Sequence, residues 1–260
     1  MIEAYHLLAV ALEAADKAAS LISKESGKSL EVDFKGATDL VTQVDVAAEE
    51  IIIETVRTHF PEHQFLAEET GESSTDSDYI WIIDPIDGTT NFVHGYPFLA
   101  VSIAVCEKDD TLAGVVNHVP FGQVYTATRN GGALCNGEPI SVSGTQTLRH
   151  SLLATGFPYE HDEVWSRNMD HFKTLTDMTQ GVRRAGSASL DLCHVARGWL
   201  DGFWELELKV WDMAAGALIV SEAGGEISTT NGDPFNLFNG QVLASNSKIH
   251  QEIVNVLTRE

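Results

Sequence analysis

Two acids three residues apart, Asp84 and Asp87, follow the apolar run Tyr79-Ile80-Trp81-Ile82-Ile83 in this chain of 260 residues. The run is aromatic and β-branched and carries no charge, which predicts a strand buried on both faces. Pro85 has no N–H and closes the ladder. Gly88 permits a tight turn, and Thr89, Thr90 and Asn91 are helix-start residues. The acids therefore sit in a turn between a buried strand and a helix. At roughly 4 Å two carboxylates repel by about 4 kcal/mol at an effective dielectric of 20, so a positive charge is expected between them. Oxygen donors alone are available, which suits a hard cation such as Mg²⁺. The N–H groups of Gly88 and Thr89 at the helix start offer an anion site. Cations beside an anion site are what phosphoryl transfer needs. The plainer reading makes Asp84 a turn residue and Asp87 an N-cap. The two residues by themselves leave both readings open.

Other chemistries are excluded by spacing. A calcium loop needs oxygen ligands where Ile86 and Gly88 stand. Gly27-Lys28-Ser29 resembles the end of a P-loop, but Ile22 replaces the required glycine. The serines lack a nucleophile elbow and no Cys–His pattern is visible. Asp84-Pro85-Ile86 also departs from the pattern of phosphatases that form an aspartyl-phosphate. His59 and His63 are separated by Pro61 and share no helical face. The ten histidines are read as structural or surface residues.

The three cysteines, Cys106, Cys135 and Cys193, are odd in number and widely spaced. They are read as reduced thiols, not as a disulfide framework or a zinc site. The formal charge of −22 argues against a nucleic-acid-binding face. No run approaches the roughly 18 apolar residues of a membrane span, and the acidic, periodic N-terminus does not read as a signal peptide. No membrane partner and a cytoplasmic location are the expectations.

The elements that must position these residues follow from periodicity. An amphipathic helix spans about residues 3–25, with Leu8, Ala11, Leu12, Ala15 and Ala19 on one face and Tyr5 at its start. A short strand pair is expected near Val32 to Lys35. A second helix runs from Val46 to His59, with Ile51, Ile52, Thr55 and Val56 buried and Asp45 as N-cap. Phe65-Leu66-Ala67 is a short strand ending in Glu68 and Glu69, and Gly71 to Asp78 a polar linker. Phe98 to Cys106, Leu112 to His118, Gln123 to Thr128 and Leu134 to Val142 read as antiparallel strands, with Asp109-Asp110 as one turn. From Leu152 onward the chain alternates strands (152–155, 182–184, 202–205, 242–244) with helices (165–178, 187–197, 213–222, 249–257). That alternation suits a second sheet flanked by helices. A helix opening at Gly186-Ser187-Ala188 can meet an anion or a hydroxyl.

The segment WIIDPIDGTTNFVHGYPFLAVSIAV closely resembles the inositol monophosphatase family. That family's second signature stands here as Trp211-Asp212-Met213-Ala214-Ala215-Gly216, with Glu222-Ala223-Gly224-Gly225 after it. The resemblance implies a layered αβαβα sandwich of the α/β (α+β) class. One domain over 1–260 is expected, with a metal-binding half at 1–145 and an alternating half at 146–260. It implies a Mg²⁺-dependent phosphomonoesterase acting on myo-inositol 1-phosphate or a similar small polyol phosphate. Lithium sensitivity and a homodimer are implied too. One metal would be held by Glu68, Asp84 and the Ile86 carbonyl, a second by Asp84, Asp87 and Asp212, and a third through water on Glu68. Lys35, Thr42 and Asp45 match polar positions near the metals, and Thr89 with Asp45 and Glu68 would activate the water. Substrate contacts are expected from Glu68, Ile86, Asp87, Gly88, Thr89, Thr90, Arg183, Gly186, Ser187, Ala188, Glu205 and Asp212. Of the neighbours Arg183 and Arg184, Arg183 is the one expected to face the site. Relatives of the same fold cleave histidinol phosphate, fructose 1,6-bisphosphate or 3′-phosphoadenosine 5′-phosphate. Paired Thr89-Thr90 and Glu205 favour inositol phosphate. Some bacterial members attach to the transcription machinery, which is the non-catalytic alternative.

Overall fold

The computed structural model describes residues 4–28, 32–34, 40–73, 75–108 and 110–259. Lys35 and Asp109 lie outside them. The chain runs through α1 (Ala4–Glu25), β1 (Val32–Phe34), β2 (Leu40–Thr42), α2 (Gln43–His59), β3 (Gln64–Ala67), β4 (Gly71–Ser73), β5 (Tyr79–Asp87), α3 (Thr89–His94), β6 (Ala100–Glu107), β7 (Asp110–His118), β8 (Gln123–Thr128), β9 (Gly132–Cys135) and β10 (Glu138–Pro139). Then come β11 (Leu152–Thr155), α4 (Glu163–Met178), β12 (Gly181–Arg183), α5 (Ala188–Ala196), β13 (Gly202–Leu206), α6 (Val210–Glu222), β14 (Glu226–Ser228), β15 (Gln241–Ser245) and α7 (His250–Leu257).

The larger sheet has the order β10-β9-β8-β7-β6-β5-β3-β4, with β3 and β5 parallel. A five-stranded sheet has the order β12-β11-β13-β15-β14, with β11 parallel to both of its neighbours, and β1 and β2 form an antiparallel pair of their own. Side chains alternate across each strand, and the cores follow from that. Trp81 and Ile83 of β5 pack with α1 and α2, whereas Ile82 faces the layer of α5 and α6. Phe203 of β13 meets that same layer from the other side, while Trp204 packs with α7 and Leu175 of α4. The result is five layers, α–β–α–β–α, as expected from the resemblance.

Several boundaries differ from expectation. The buried stripe of α1 is Leu7, Val10, Ala11, Ala14, Ala15, Ala18, Ala19 and Ile22, and Tyr5 is exposed. On α2 Ile53 replaces Ile51 in the core. The segment read as a linker contains β4, paired with β3. Most consequentially, β5 continues past Asp84 to Asp87 through a shift in its register with β6. A bulge of this kind re-aims side chains at the end of a strand. Pro85 thus ends the regular ladder without ending the strand. No helix among the described residues is long and apolar enough to cross a membrane.

Candidate active site

The bulge turns Asp84 and Asp87 to the edge of the central layer, where both are buried. Asp84 Oδ1 has no hydrogen-bond partner. Burial is the first cause that pushes its pKa well above the ordinary carboxylate range, and the charges of Glu68, Asp87 and Asp212 add to it. The Glu68 carboxyl lies within hydrogen-bond reach of Asp84. Asp212 behaves in the same way: burial first, then the Asp87 charge, raises its pKa, against a hydrogen bond from Lys209 N. That bond, 2.7 Å to Oδ2, makes Asp212 the third residue of the first turn of α6 and fixes its rotamer. Ser102 Oγ donates to the Trp211 carbonyl at 3.2 Å. Ser102 is also the strand partner of Asp84. The start of α6 is thereby tied to the larger sheet beside Asp84, although 109 positions separate Ser102 and Trp211.

Asp45 and Thr89 form the second part. Thr42, not Asp45, is the N-cap of α2, and Asp45 is the third residue of its capping box. Asp45 Oδ2 accepts from Thr42 N at 2.9 Å and Thr42 Oγ1 at 2.5 Å. Its Oδ1 accepts from Thr89 Oγ1 at 2.8 Å, and the Ile86 carbonyl lies 3.0 Å from the same hydroxyl. Both carboxylate oxygens of Asp45 are engaged, one structurally and one toward Thr89. Burial pushes the Asp45 pKa up against these three donors.

Asp87 does not cap α3. The N-cap position there is Gly88, at φ 101°, with no side-chain cap. Only glycine tolerates that conformation at low cost. A Cβ at Gly88 would also lie 2.9 Å from the Phe98 carbonyl and 3.2 Å from that of Gly186. Asp87 Oδ2 reaches instead to the start of α5, accepting from Ser187 Oγ (2.6 Å), Ser189 N (2.7 Å) and Ser189 Oγ (2.5 Å). Asn91 Nδ2 donates to the carbonyls of Phe98 (2.6 Å) and Ala185 (2.9 Å). The turn at 185–188 is held against α3 by these bonds, so Gly186, Ser187 and Ala188 meet the acids of the other half. Thr90 is exposed beside them.

Glu205, half-buried at the end of β13, has its pKa pushed up to about 8 by burial, against the nearby positive charge of Arg184. Arg183 is the arginine expected at the site, and the structure sets its neighbour nearer to Glu205. Arg184 is the arginine whose charge bears on Glu205 and Asp191, and its Nη1 lies 2.8 Å from where a Gly186 Cβ would stand. The Arg183 guanidinium folds back toward Gly181. Four other groups were not singled out by sequence. Ser189 and Asp191 lie two positions apart in the first turn of α5, where burial pushes the Asp191 pKa well up. Asn91 passes in sequence as an ordinary helix-start residue. Glu49 of α2 is fully buried, and its carboxylate accepts from Glu69 N and Thr70 N at 2.8 Å each, fixing the turn that carries Glu68. Its position one turn after Asp45 on α2 was the available signal.

The donor set suits a hard cation. All the groups are oxygens, one is an orphaned buried acceptor, and the acids raise each other's pKa for want of a countercharge. Among the described residues no three acidic, histidine or cysteine groups form a ready-made cage.

The raised values carry a stability consequence. The folded protein holds these protons more tightly than the unfolded chain does. Their contribution is present below the ordinary carboxylate range and is lost as pH rises through the raised values, about 8 for Glu205. The histidines whose pKa burial lowers, His63, His118, His171, His194 and His250, act in the opposite sense until about one unit above their unfolded value of about 6.5, so the chelator-treated protein should melt at falling temperature from roughly pH 7.5 to 8.5. Mg²⁺ should oppose that fall, and more strongly as pH rises. Differential scanning calorimetry in EDTA and in Mg²⁺ measures both slopes. A rising melting temperature in EDTA would contradict the crowding of these acids.

Comparison with known proteins agrees with this architecture. The chain is 46% identical over 253 residues to the inositol-1-monophosphatase of Synechocystis sp., covering 96% of this chain and 88% of that protein. It is 43% identical over 260 residues to Nus factor SuhB of Pseudomonas aeruginosa, covering 96% and 95%. The crystal structure of extragenic suppressor protein suhB from Bartonella henselae superposes with a TM-score of 0.94 at 37% identity, over 98% of this chain and 99% of that one. The sequence model of the inositol monophosphatase family matches residues 3–260. With both signatures present, the five layers in place and their acids gathered at one edge, the chain belongs to the inositol monophosphatase family, a family of phosphatases.

Proposed function

We infer that the protein is a Mg²⁺-dependent phosphomonoesterase that hydrolyses myo-inositol 1-phosphate or a similar small polyol phosphate. The observation that carries this reading is the Asp45–Thr89 hydrogen bond together with the unpartnered Oδ1 of the buried Asp84. Glu68, Asp84 and the Ile86 carbonyl would hold one cation, and Asp84, Asp87 and Asp212 a second. When bound, the cations supply charge neutralisation and acidify water. The hydroxyl of Thr89 has one proton, and the carboxylate of Asp45 is its stronger acceptor. The remaining lone pairs of Thr89 Oγ1 are free to accept from an attacking water and to aim it. As the water oxygen bonds to phosphorus, its proton moves toward the Thr89–Asp45 pair, with Glu68 beside it; the ester P–O bond breaks in line, and the leaving oxygen takes a proton from solvent water to depart as the alcohol. The N–H groups of Gly88, Thr89 and Thr90 face the phosphate oxygens. The turn Gly186-Ser187-Ala188, with Glu205 and Arg184, faces the leaving group.

A phosphate-release assay with Glu205→Gln, run above the raised Glu205 pKa of about 8 so that the side chain is a carboxylate, tests the substrate class. A carboxylate repels phosphate but hydrogen-bonds hydroxyls, each such bond contributing roughly 1.5–3 kcal/mol. Turnover of inositol 1-phosphate should fall about 10- to 100-fold in kcat/KM, while p-nitrophenyl phosphate, which has no neighbouring hydroxyls, is spared. Equal losses on both would remove Glu205 from substrate recognition.

A second reading is favoured by the relatives named Nus factor SuhB. Binding to a protein of the transcription machinery is compatible with the charge of −22, which disfavours direct RNA contact. A pull-down with a catalytically dead variant separates the two roles.

A further inference from the structure

The carboxylate of Glu205 lies flat against the backbone of Gly156. A Cβ added at Gly156 would stand 2.0 Å from Oε1 and 2.2 Å from both Cδ and Oε2. Nothing in the backbone demands a glycine there, because Gly156 is not among the residues of positive φ. The missing side chain serves the space that the Glu205 carboxylate fills. The two residues face each other because β11 and β13 are parallel neighbours with Thr155 opposite Trp204. One step further along each strand brings Gly156 beside Glu205.

A buried amide holds both strand ends. Asn168 of α4 is fully buried. Its Nδ2 donates to the Gly156 carbonyl at 2.7 Å, and its Oδ1 accepts from the Trp204 indole N–H at 2.7 Å. An indole N–H only donates, so the orientation of the amide follows from its partners. Thr155 Oγ1 completes the set by donating to the Trp204 carbonyl at 2.7 Å. The residue before Glu205 and the glycine facing it are thus fixed to one side chain from the outer helical layer, away from the reacting phosphate.

We propose that Gly156 is a specificity-determining residue and Asn168 a positioning residue, which together hold the Glu205 carboxylate at the leaving-group wall. The proposal rests on the reading of Glu205 given above. A methyl group at position 156 forces the carboxylate aside, since the far end of a glutamate is the movable partner in that clash. The enzyme then keeps its phosphate chemistry and loses its preference for hydroxyl-bearing leaving groups.

A double-mutant cycle tests this with Gly156→Ala, Glu205→Ala and the double variant, measured by thermal melting and by kcat/KM on inositol 1-phosphate and p-nitrophenyl phosphate. Gly156→Ala should lose about 10- to 100-fold on inositol 1-phosphate, the weight of a charged hydrogen bond, and change little on p-nitrophenyl phosphate. Adding it to Glu205→Ala should cost no further activity, and its melting penalty should shrink there because the truncated side chain leaves room for the methyl. Asn168→Asp, which keeps the acceptor for Trp204 but loses the donor to Gly156, should shift the ratio of the two substrates in the same direction. If Gly156→Ala does not fold alone, folding of the double variant is the expected rescue. Independent, additive effects in melting and activity overturn the proposal. Coupled melting with equal losses on both substrates overturns the specificity role. Glu205→Gln identifies the source of that failure: if it too lowers both substrates equally, the reading of Glu205 is at fault, not the packing of Gly156 against it.

Discussion

Asp84→Asn is expected to abolish phosphate release while raising the melting temperature of the metal-free protein. The two effects have one cause. Asp84 is buried with an unpartnered oxygen, and its ionised form is opposed by desolvation and by Glu68, Asp87 and Asp212. A neutral amide of the same shape removes that repulsion, so the apo fold gains. The same change removes the carboxylate shared by both proposed cation sites. A loss on the order of 10³-fold in kcat is expected, the upper end for removal of one electrostatic stabiliser. The rise in stability with Mg²⁺, about 2.7 kcal/mol at 100 times the dissociation constant, should largely disappear. Calorimetry with and without Mg²⁺, together with a phosphate-release assay, reads all three. A variant that melts lower without metal, or that keeps activity within tenfold of the parent, would displace Asp84 from the centre of the site.

Thr89→Ala should lower kcat by about 10²-fold or more, the usual weight of general acid–base assistance, with a much smaller change in KM. Thr89 occupies the first position of α3, where its hydroxyl reaches Asp45 Oδ1 at 2.8 Å. Asp45 is held from behind by Thr42, so loss of the hydroxyl does not free the carboxylate to approach the substrate in its place. Thr89→Ser should keep most of the activity, because the proton and its acceptor are retained. Steady-state kinetics on inositol 1-phosphate separates the alternatives. A rise in KM alone would make Thr89 a phosphate ligand and put activation of the water elsewhere.

Much of this site was legible because its chemistry is local. The strand of β5, the acids at its end, Gly88 and the start of α3 lie within a dozen residues, and backbone preferences alone place them. Gly88 must be a glycine for its positive φ, and Asp84 and Asp87 must be close because only two residues separate them. The layered order was legible through the resemblance and through the alternation of strands and helices after Leu152. The N-cap assignments were less legible. Thr42 and Asp45 are both good capping residues three positions apart, and choosing between them requires knowing that α2 begins at Gln43.

The sequence by itself determined the acids, their oxygen-only chemistry, the helix-start hydroxyls and the second signature that brings Asp212. Only the tertiary structure decided what each of these groups touches. The bulge after Asp84 aims Asp87 at α5 instead of α3, because pairing with β6 carries the strand beyond Pro85. Which of two adjacent arginines turns toward Glu205 depends on where β12 ends, and a residue beyond Arg183 is free of the ladder. Glu49, Asn91 and Ser189 act on partners 20, 94 and 102 positions away, and no local pattern encodes such a distance. Gly156 shows the reason most plainly. In sequence it is a glycine after a strand, with an ordinary turn as its apparent purpose, and only the parallel register of β11 and β13 sets it against a carboxylate from another strand, where the absence of a side chain becomes the feature that matters.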